Sequence, residues 1–401
     1  MALSTVPSTE IEARLERTRA RLRMADVEAA LIIQRADFFY LTGTAQNGLL
    51  SLPAESDGEP LLLVQKSRSR AREESPIARQ EPLDSPRGLA SALRAAGHGP
   101  WRRIGLELDV LPWREVRRLE EQFPGVEFVD ISMPLREIRM VKSEYEIRQM
   151  EGAAEILARV FARVPEILRA SEREIDAAAA IEGEMRRHRH QALVRIRRWN
   201  MELAGATVAA GPSASHPQAF DGADGSVGLY PAFPHSGSER PLVFGEPIMI
   251  DLVAGFGGYL ADKTRIFVLG RLVDPELLEA HRFTLRLQAE IQDRLRPGAV
   301  CSSIYTHVME QVSATAWQSG FMGWGENQVA FIGHGVGLEL DELPILSARS
   351  STALKEGMVV AIEPKIFFGE RGGVGIENSW VVTADGCRNL TADSSDEIIE
   401  V

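Results

Sequence analysis

Four carboxylates and one imidazole stand out by type and spacing. Asp251 and Asp262 lie in residues 248–267 (IMIDLVAGFGGYLADKTRIF), where two apolar runs flank Gly255-Phe256-Gly257-Gly258. That pattern predicts a hairpin, and a two-residue turn at Phe256-Gly257 sets Asp251 directly opposite Asp262, with Cβ atoms about 5 Å apart. Glu363 and Glu377 repeat the arrangement. Residues 358–368 (MVVAIEPKIFF) and 373–382 (GVGIENSWVV) flank Gly369-Glu370-Arg371-Gly372, and the two glutamates are equidistant from Glu370. Like charges on neighbouring buried strands repel, so each pair requires a proton or a cation. His334 lies between the pairs in sequence, in residues 331–338 (FIGHGVGL), where glycines let the backbone approach a crowded site. Four carboxylates and an imidazole suit two divalent ions bridged by a hydroxide nucleophile.

Those residues need strands to hold them, and the chain supplies two kinds of unit. Ile11, Leu15, Thr18 and Leu22 fall at helical spacing. Residues 29–33 read as a buried strand, and 48–53 and 60–65 as a hairpin around Ser56-Asp57-Gly58. Strand 103–110, helix 113–123 and strand 126–131 follow. Alternating strands and helices predict an α/β first domain, residues 1–138. The pattern then changes. Residues 143–169 read as one long helix, and Ser171-Glu172-Arg173-Glu174 as a capping box opening the next. Helices 274–295 and 302–319 are interleaved with Gly-punctuated strand pairs, so residues 139–401 form an α+β second domain. Residues 211–237 read as a long ordered loop, a length more often functional than most. The basic stretch 186–198 reads as a solvated helix end.

Composition limits the chemistry. The 401 residues carry 57 Asp+Glu against 45 Lys+Arg, a net charge of −12, which argues against a nucleic-acid binder. Two cysteines, Cys301 and Cys387, provide neither a disulfide framework nor a thiolate zinc site. With only eight histidines, metal ligands must be mostly carboxylates, which points to hard or borderline ions. The first ten residues lack a signal-peptide pattern, and no apolar run is long enough to span a bilayer. The expectation is a cytoplasmic protein with no membrane partner.

Taken together, these residues resemble the pita-bread metallopeptidase family of Xaa-Pro dipeptidases, aminopeptidases P, methionine aminopeptidases and creatinase. Asp251, Asp262, His334, Glu363 and Glu377 match its metal ligands in type, order and spacing, a far more specific signal than one short motif. The first domain, with Tyr40-Leu41-Thr42-Gly43, resembles the creatinase-type N-terminal domain, and residues 135–147 (LREIRMVKSEYEI) resemble the entry to a pita-bread catalytic domain. The resemblance implies that Asp251 chelates one metal, Asp262 and Glu377 bridge both, and His334 and Glu363 hold the second. It also implies that Glu363 handles the proton of the bridging hydroxide and that the protein is a homodimer. The ions fitting this donor set are manganese, cobalt, zinc and iron. Thr264, Tyr259 and Lys365 are expected behind the ligands.

His235, in Phe233-Pro234-His235, resembles the family's catalytic, substrate-contacting histidine. Other positions depart. Ala330 stands where prolidase-like members usually carry His, Asp341-Glu342 where they carry His-Glu, Gly375 where they carry Arg, and Lys365 where a small residue is common. Asp341 cannot donate a hydrogen bond when ionised, and losing one oxyanion donor costs about 10²–10³ in rate. Asp341 either pairs with Lys365 or contacts a cationic substrate group. His216 and Tyr230, in the long loop, are further candidates for substrate contact. The reading is a dinuclear metal-dependent Xaa-Pro dipeptidase or aminopeptidase acting on small peptides. A creatinase-like C–N hydrolase or lyase of small molecules is the alternative, and a non-catalytic partner-binding relative the third.

Overall fold

Ile11, Leu15, Thr18 and Leu22 are the buried side of the first helix, Ser8–Met24, as their spacing predicts. In a computed structural model, which describes residues 5–392 and 395–401, the chain divides into two compact units, Met1–Arg139 and Met140–Val401. The first unit is α/β. Its six-stranded mixed sheet runs in the order 80–82, 61–64, 48–53, 29–32, 103–106, 127–130. Leucine and isoleucine side chains from these strands pack on helices Leu89–Ala95 and Trp113–Gln122. At the end of strand Arg103–Leu106, the buried Glu107 carboxylate accepts the N–H groups of Ile33 and Gln34.

The second unit is α+β, with two sheets and helices outside each. One sheet has the order 399–400, 259–268, 247–256, 206–210, and the other 342–347, 331–335, 359–362, 378–382, 387–389. A two-stranded ladder, Lys365–Phe367 with Gly373–Gly375, continues the glutamate hairpin beyond the second sheet. Ile248, Ile250 and Leu252 pack in a cluster with helices Glu144–Phe161, Val164–Ala170 and Glu174–Arg187. Met249 and Ile266 belong instead to the cluster formed with helices Pro275–Gln292 and Cys301–Ser313. Strand alternation therefore turns one face of the aspartate hairpin toward the first helices and the other toward the second sheet.

Three local expectations are corrected. The long helix breaks at Ala162 and Arg163, because Pro165 cannot donate in a helix interior. The following helix is capped by Arg173 with Asp176, not by Ser171 with Glu174. The Glu174 carboxylate is turned to other work: it accepts the backbone N–H groups of Ala210 and Ser238. The basic stretch is not a solvated helix end throughout, since Arg197 is buried 3.7 Å from Glu339 and Arg198 pairs with Asp221. Among the described residues, no helix is long and apolar enough to cross a membrane.

Candidate metal centre

The aspartate hairpin turns at Gly257-Gly258, with Phe256 paired to Tyr259. Both glycines have positive φ, 59° and 95°, a conformation that suits two-residue hairpin turns and penalises other residues. Asp251 therefore stands opposite Thr264 and Asp262 opposite Val253, so the aspartates are diagonal neighbours rather than direct partners. This corrects the expected register. The slip is by two residues, which leaves both carboxylates on one face.

The glutamate hairpin keeps its expected register. Ile362 pairs with Asn378 and Lys365 with Gly375, so Glu363 and Glu377 lie level in the gap between two ladders. Pro364 interrupts pairing at that gap, and the freed backbone groups bond to other strands. Glu363 N–H donates to Ile332 O at 3.2 Å, and Glu377 N–H to Thr264 O at 3.3 Å. Ser379 Oγ accepts from Asp262 N–H at 3.1 Å and donates to Asp262 O at 3.0 Å. These bonds stitch the histidine strand and both hairpins together at the level of the acids.

His334 pairs with Ala361 on one side and Ile345 on the other. Its Nδ1 lies 3.1 Å from the carbonyls of Gly335 and Leu340, and carbonyls only accept, so Nδ1 carries a proton. Nε2 then faces Asp262 Oδ2 at 3.9 Å and Glu363 Oε1 at 3.7 Å. Asp262, His334 and Glu377 each offer a ligand atom, all within 4.8 Å of one another. Asp262 Oδ1 and Glu377 Oε1 are buried without a hydrogen-bond partner. Orphaned carboxylate oxygens beside a free imidazole nitrogen fit a divalent ion.

Lys365 is fully buried, and its Nζ lies 2.9 Å from Asp251 Oδ2, 3.0 Å from Glu363 Oε2 and 3.2 Å from Glu377 Oε2. The ion pair between Lys365 and Asp341 does not form, because the ammonium is drawn between the hairpins by three carboxylates. Asp341 instead lies 3.7 Å from His334 Nδ1. Thr264 Oγ1 donates to Glu377 Oε2 at 2.8 Å. Tyr259 donates its hydroxyl to Glu146, tying the hairpin tip to helix Glu144–Phe161. Of the three residues expected behind the ligands, Thr264 and Lys365 thus touch them directly.

The electrostatics match a cation-binding place. Burial, then the neighbouring Glu377 and Asp251, holds Asp262 well above the carboxylate range. Burial likewise raises Glu377 to about 8, with Lys365 opposing and Asp251 and Glu363 adding to the rise. Burial lowers His334, but Asp341, Glu363 and Glu377 outweigh it and raise the imidazole. A proton and a metal ion therefore compete for Nε2.

A narrow cavity opens on these groups, lined also by Thr207, Phe220, Asp221, Asp224, His235, Phe331 and Asp341. His235 is buried, with Nδ1 2.7 Å from Gln218 Oε1 and Nε2 3.3 Å from Thr207 Oγ1. Burial lowers its pKa to about 4, so it is neutral near pH 7. His216 and Tyr230 are exposed and do not line the cavity, which separates them from the other candidate substrate contacts. Asp224 and Ser379 were missed by sequence reasoning. Asp224 is buried, and burial followed by Asp251 raises it to about 7. Two acids in the glycine-rich run Asp221-Gly222-Ala223-Asp224-Gly225 were an available signal. Ser379 carried none, since a hydroxyl beside the last glutamate gains its role only when the hairpins meet.

An α/β unit followed by two sheets that converge carboxylates and a histidine defines a metallohydrolase architecture. The chain belongs to metallopeptidase family M24, whose model matches residues 148–384, and residues 14–141 match the creatinase/prolidase N-terminal domain. It is 26% identical over 381 residues to an Xaa-Pro dipeptidase of Pyrococcus furiosus, covering 94% of this chain and 97% of that one. The prolidase of Pyrococcus horikoshii OT3 superposes with a TM-score of 0.78 at 24% identity, over 95% of this chain and 99% of the other. The X-Pro aminopeptidase of Thermotoga maritima MSB8 gives the same TM-score and identity, over 95% and 100%. The fold is that of these enzymes, and the chain is a hydrolase of the metallopeptidase class.

Proposed function

We propose that this chain is a divalent-metal-dependent Xaa-Pro dipeptidase or aminopeptidase whose ligands are Asp251, Asp262, His334, Glu363 and Glu377. The observation that carries the reading is the convergence of Asp262, His334 and Glu377, two of them with orphaned buried oxygens, at the floor of the His235 cavity. The Xaa-Pro dipeptidase of Pyrococcus furiosus, similar along nearly its whole length, supports the substrate class. A divalent ion bound there supplies Lewis-acid polarisation of the scissile carbonyl and lowers the pKa of water. Manganese, cobalt, zinc and iron all suit the donor set. Glu363 takes the proton of the attacking water and returns it to the leaving nitrogen. Neutral His235, held by Gln218 and Thr207, contacts the substrate. The number of ions turns on Lys365.

A second reading rests on the cavity wall. Asp341 on that wall, with Asp224 where it is ionised and Asp221 already paired with Arg198, favours a substrate with a cationic group over one with a free carboxylate. The α-amino group of a peptide meets that requirement, and so does a small cationic amide or betaine. The test is turnover by the metal-loaded protein on Xaa-Pro dipeptides, longer Xaa-Pro peptides, and small amides and betaines. Cleavage of proline peptides is expected; a metal-loaded, folded protein that cleaves none of them sinks the first reading.

A further inference from the structure

We propose that the Lys365 ammonium permanently fills one of the cation positions of this centre, so that the chain binds a single divalent ion where its ligand set has places for two. The inference rests on the reading of Asp251, Asp262, His334, Glu363 and Glu377 as metal ligands. A lysine ammonium has three N–H donors. Here it meets three carboxylates, from Asp251, Glu363 and Glu377, at 2.9, 3.0 and 3.2 Å. These acids come from both hairpins, so Nζ sits inside the ligand set rather than behind one member of it. It makes no hydrogen bond to Asp262 or His334, and those two, with the free oxygen of Glu377, form the place that remains.

The backbone is built around this side chain. Lys365 pairs with Gly375 across the short ladder. A Cβ at Gly375 would lie 2.7 Å from Lys365 Cα, Lys365 Cγ and Pro364 O, so only glycine fits against this part of the neighbouring strand and the lysine stem that leaves it. The ammonium reaches the acids of both hairpins from the strand that follows Glu363. The charge count agrees. Four carboxylates with an ammonium and one divalent ion leave one negative charge, the same as four carboxylates with two divalent ions and a hydroxide. With Lys365 among the acids, a second divalent ion is not needed to balance them.

Metal stoichiometry tests this without reference to activity. The full chain, stripped with chelator, is titrated with Mn(II) by calorimetry, and the bound metal is measured by elemental analysis and by paramagnetic resonance. One ion per chain with an uncoupled single-ion spectrum is expected. Lys365→Ala is expected to bind two, with an exchange-coupled spectrum. Two ions in the unaltered protein overturn the inference while leaving the metal centre standing, as does a folded Lys365→Ala that still binds one. No bound ion overturns both the inference and the metal-centre reading. Should Lys365→Ala not fold, the stoichiometry of the unaltered protein decides alone.

Discussion

At the scale of single residues, the site is a balance between buried acids and the cations that excuse them. His334 aims Nε2 at the acids, in a direction fixed by two backbone carbonyls on the opposite ring atom. Its removal takes away one of the proposed ligands and leaves Asp262 and Glu363 facing each other with less to hold a cation. His334→Ala is expected to weaken Mn(II) binding by at least about 100-fold, measured by calorimetry. His235 has the opposite signature. It lines the cavity and makes its hydrogen bonds to Gln218 and Thr207, not to the acids. His235→Ala should keep its full metal content while kcat/KM on an Xaa-Pro peptide falls about 10²-fold. Loss of metal in that variant would move His235 into the ligand set and out of substrate contact.

At the scale of elements, the site depends on hairpin register, and register is set by turns. The positive φ of Gly258, 95°, is a conformation that a β-branched residue adopts only with strain. Gly258→Val is expected to cost about 1–3 kcal/mol in urea unfolding, and to lower metal affinity by loosening the register of Asp251 against Asp262. Unchanged stability would show that the turn does not set the hairpin. This is also where the sequence was partly legible. Both hairpins announced themselves through apolar runs flanking glycine, and the glutamate register follows from its centre at Glu370. The aspartate register did not, because four residues in a row, Gly255 to Gly258, offer several two-residue turns of similar local quality. The face survived the error because the slip was by two.

At the scale of the whole molecule, a buried acid in the first unit and two buried histidines in the second contribute to stability with opposite pH dependence. In the first, Glu107 is raised to about 8, by burial and then by Asp37, from an ordinary 4.5. An acid whose folded pKa is raised contributes stability that is full below its unfolded pKa and is lost as pH rises through the folded one. In the second unit, burial lowers His190 and His281 to about 4 from an ordinary 6.5. His190 Nδ1 accepts the N–H of Gly255, which only a neutral ring can do. A histidine with a lowered pKa contributes stability that is full above 6.5 and is lost as pH falls through 4. Calorimetric unfolding of the metal-saturated protein should lose the Glu107 contribution as pH rises from about 4.5 to about 8, and the histidine contributions as pH falls from about 6.5 to about 4. Glu107→Gln keeps an acceptor for Ile33 and Gln34 and should flatten the alkaline loss. A Glu107→Gln variant that loses as much stability as the unaltered protein between about pH 4.5 and 8 would contradict the assignment.

The amino-acid sequence by itself determined the order of the units, the two kinds of architecture and the five residues that converge. It could do so because strand alternation, apolar context and glycine spacing are local, and each is written in a short window of the chain. What the tertiary structure decided lies where elements distant in sequence meet. It set the diagonal placing of Asp251 and Asp262, brought Asp224 to the cavity while leaving His216 and Tyr230 outside, and stitched Ser379 to Asp262. Above all it turned Lys365 away from Asp341 and in among Asp251, Glu363 and Glu377. A lysine side chain is long and flexible, so its target depends on the electrostatic field of all the carboxylates around it. That field exists only once both hairpins have folded against each other, and no local pattern carries it.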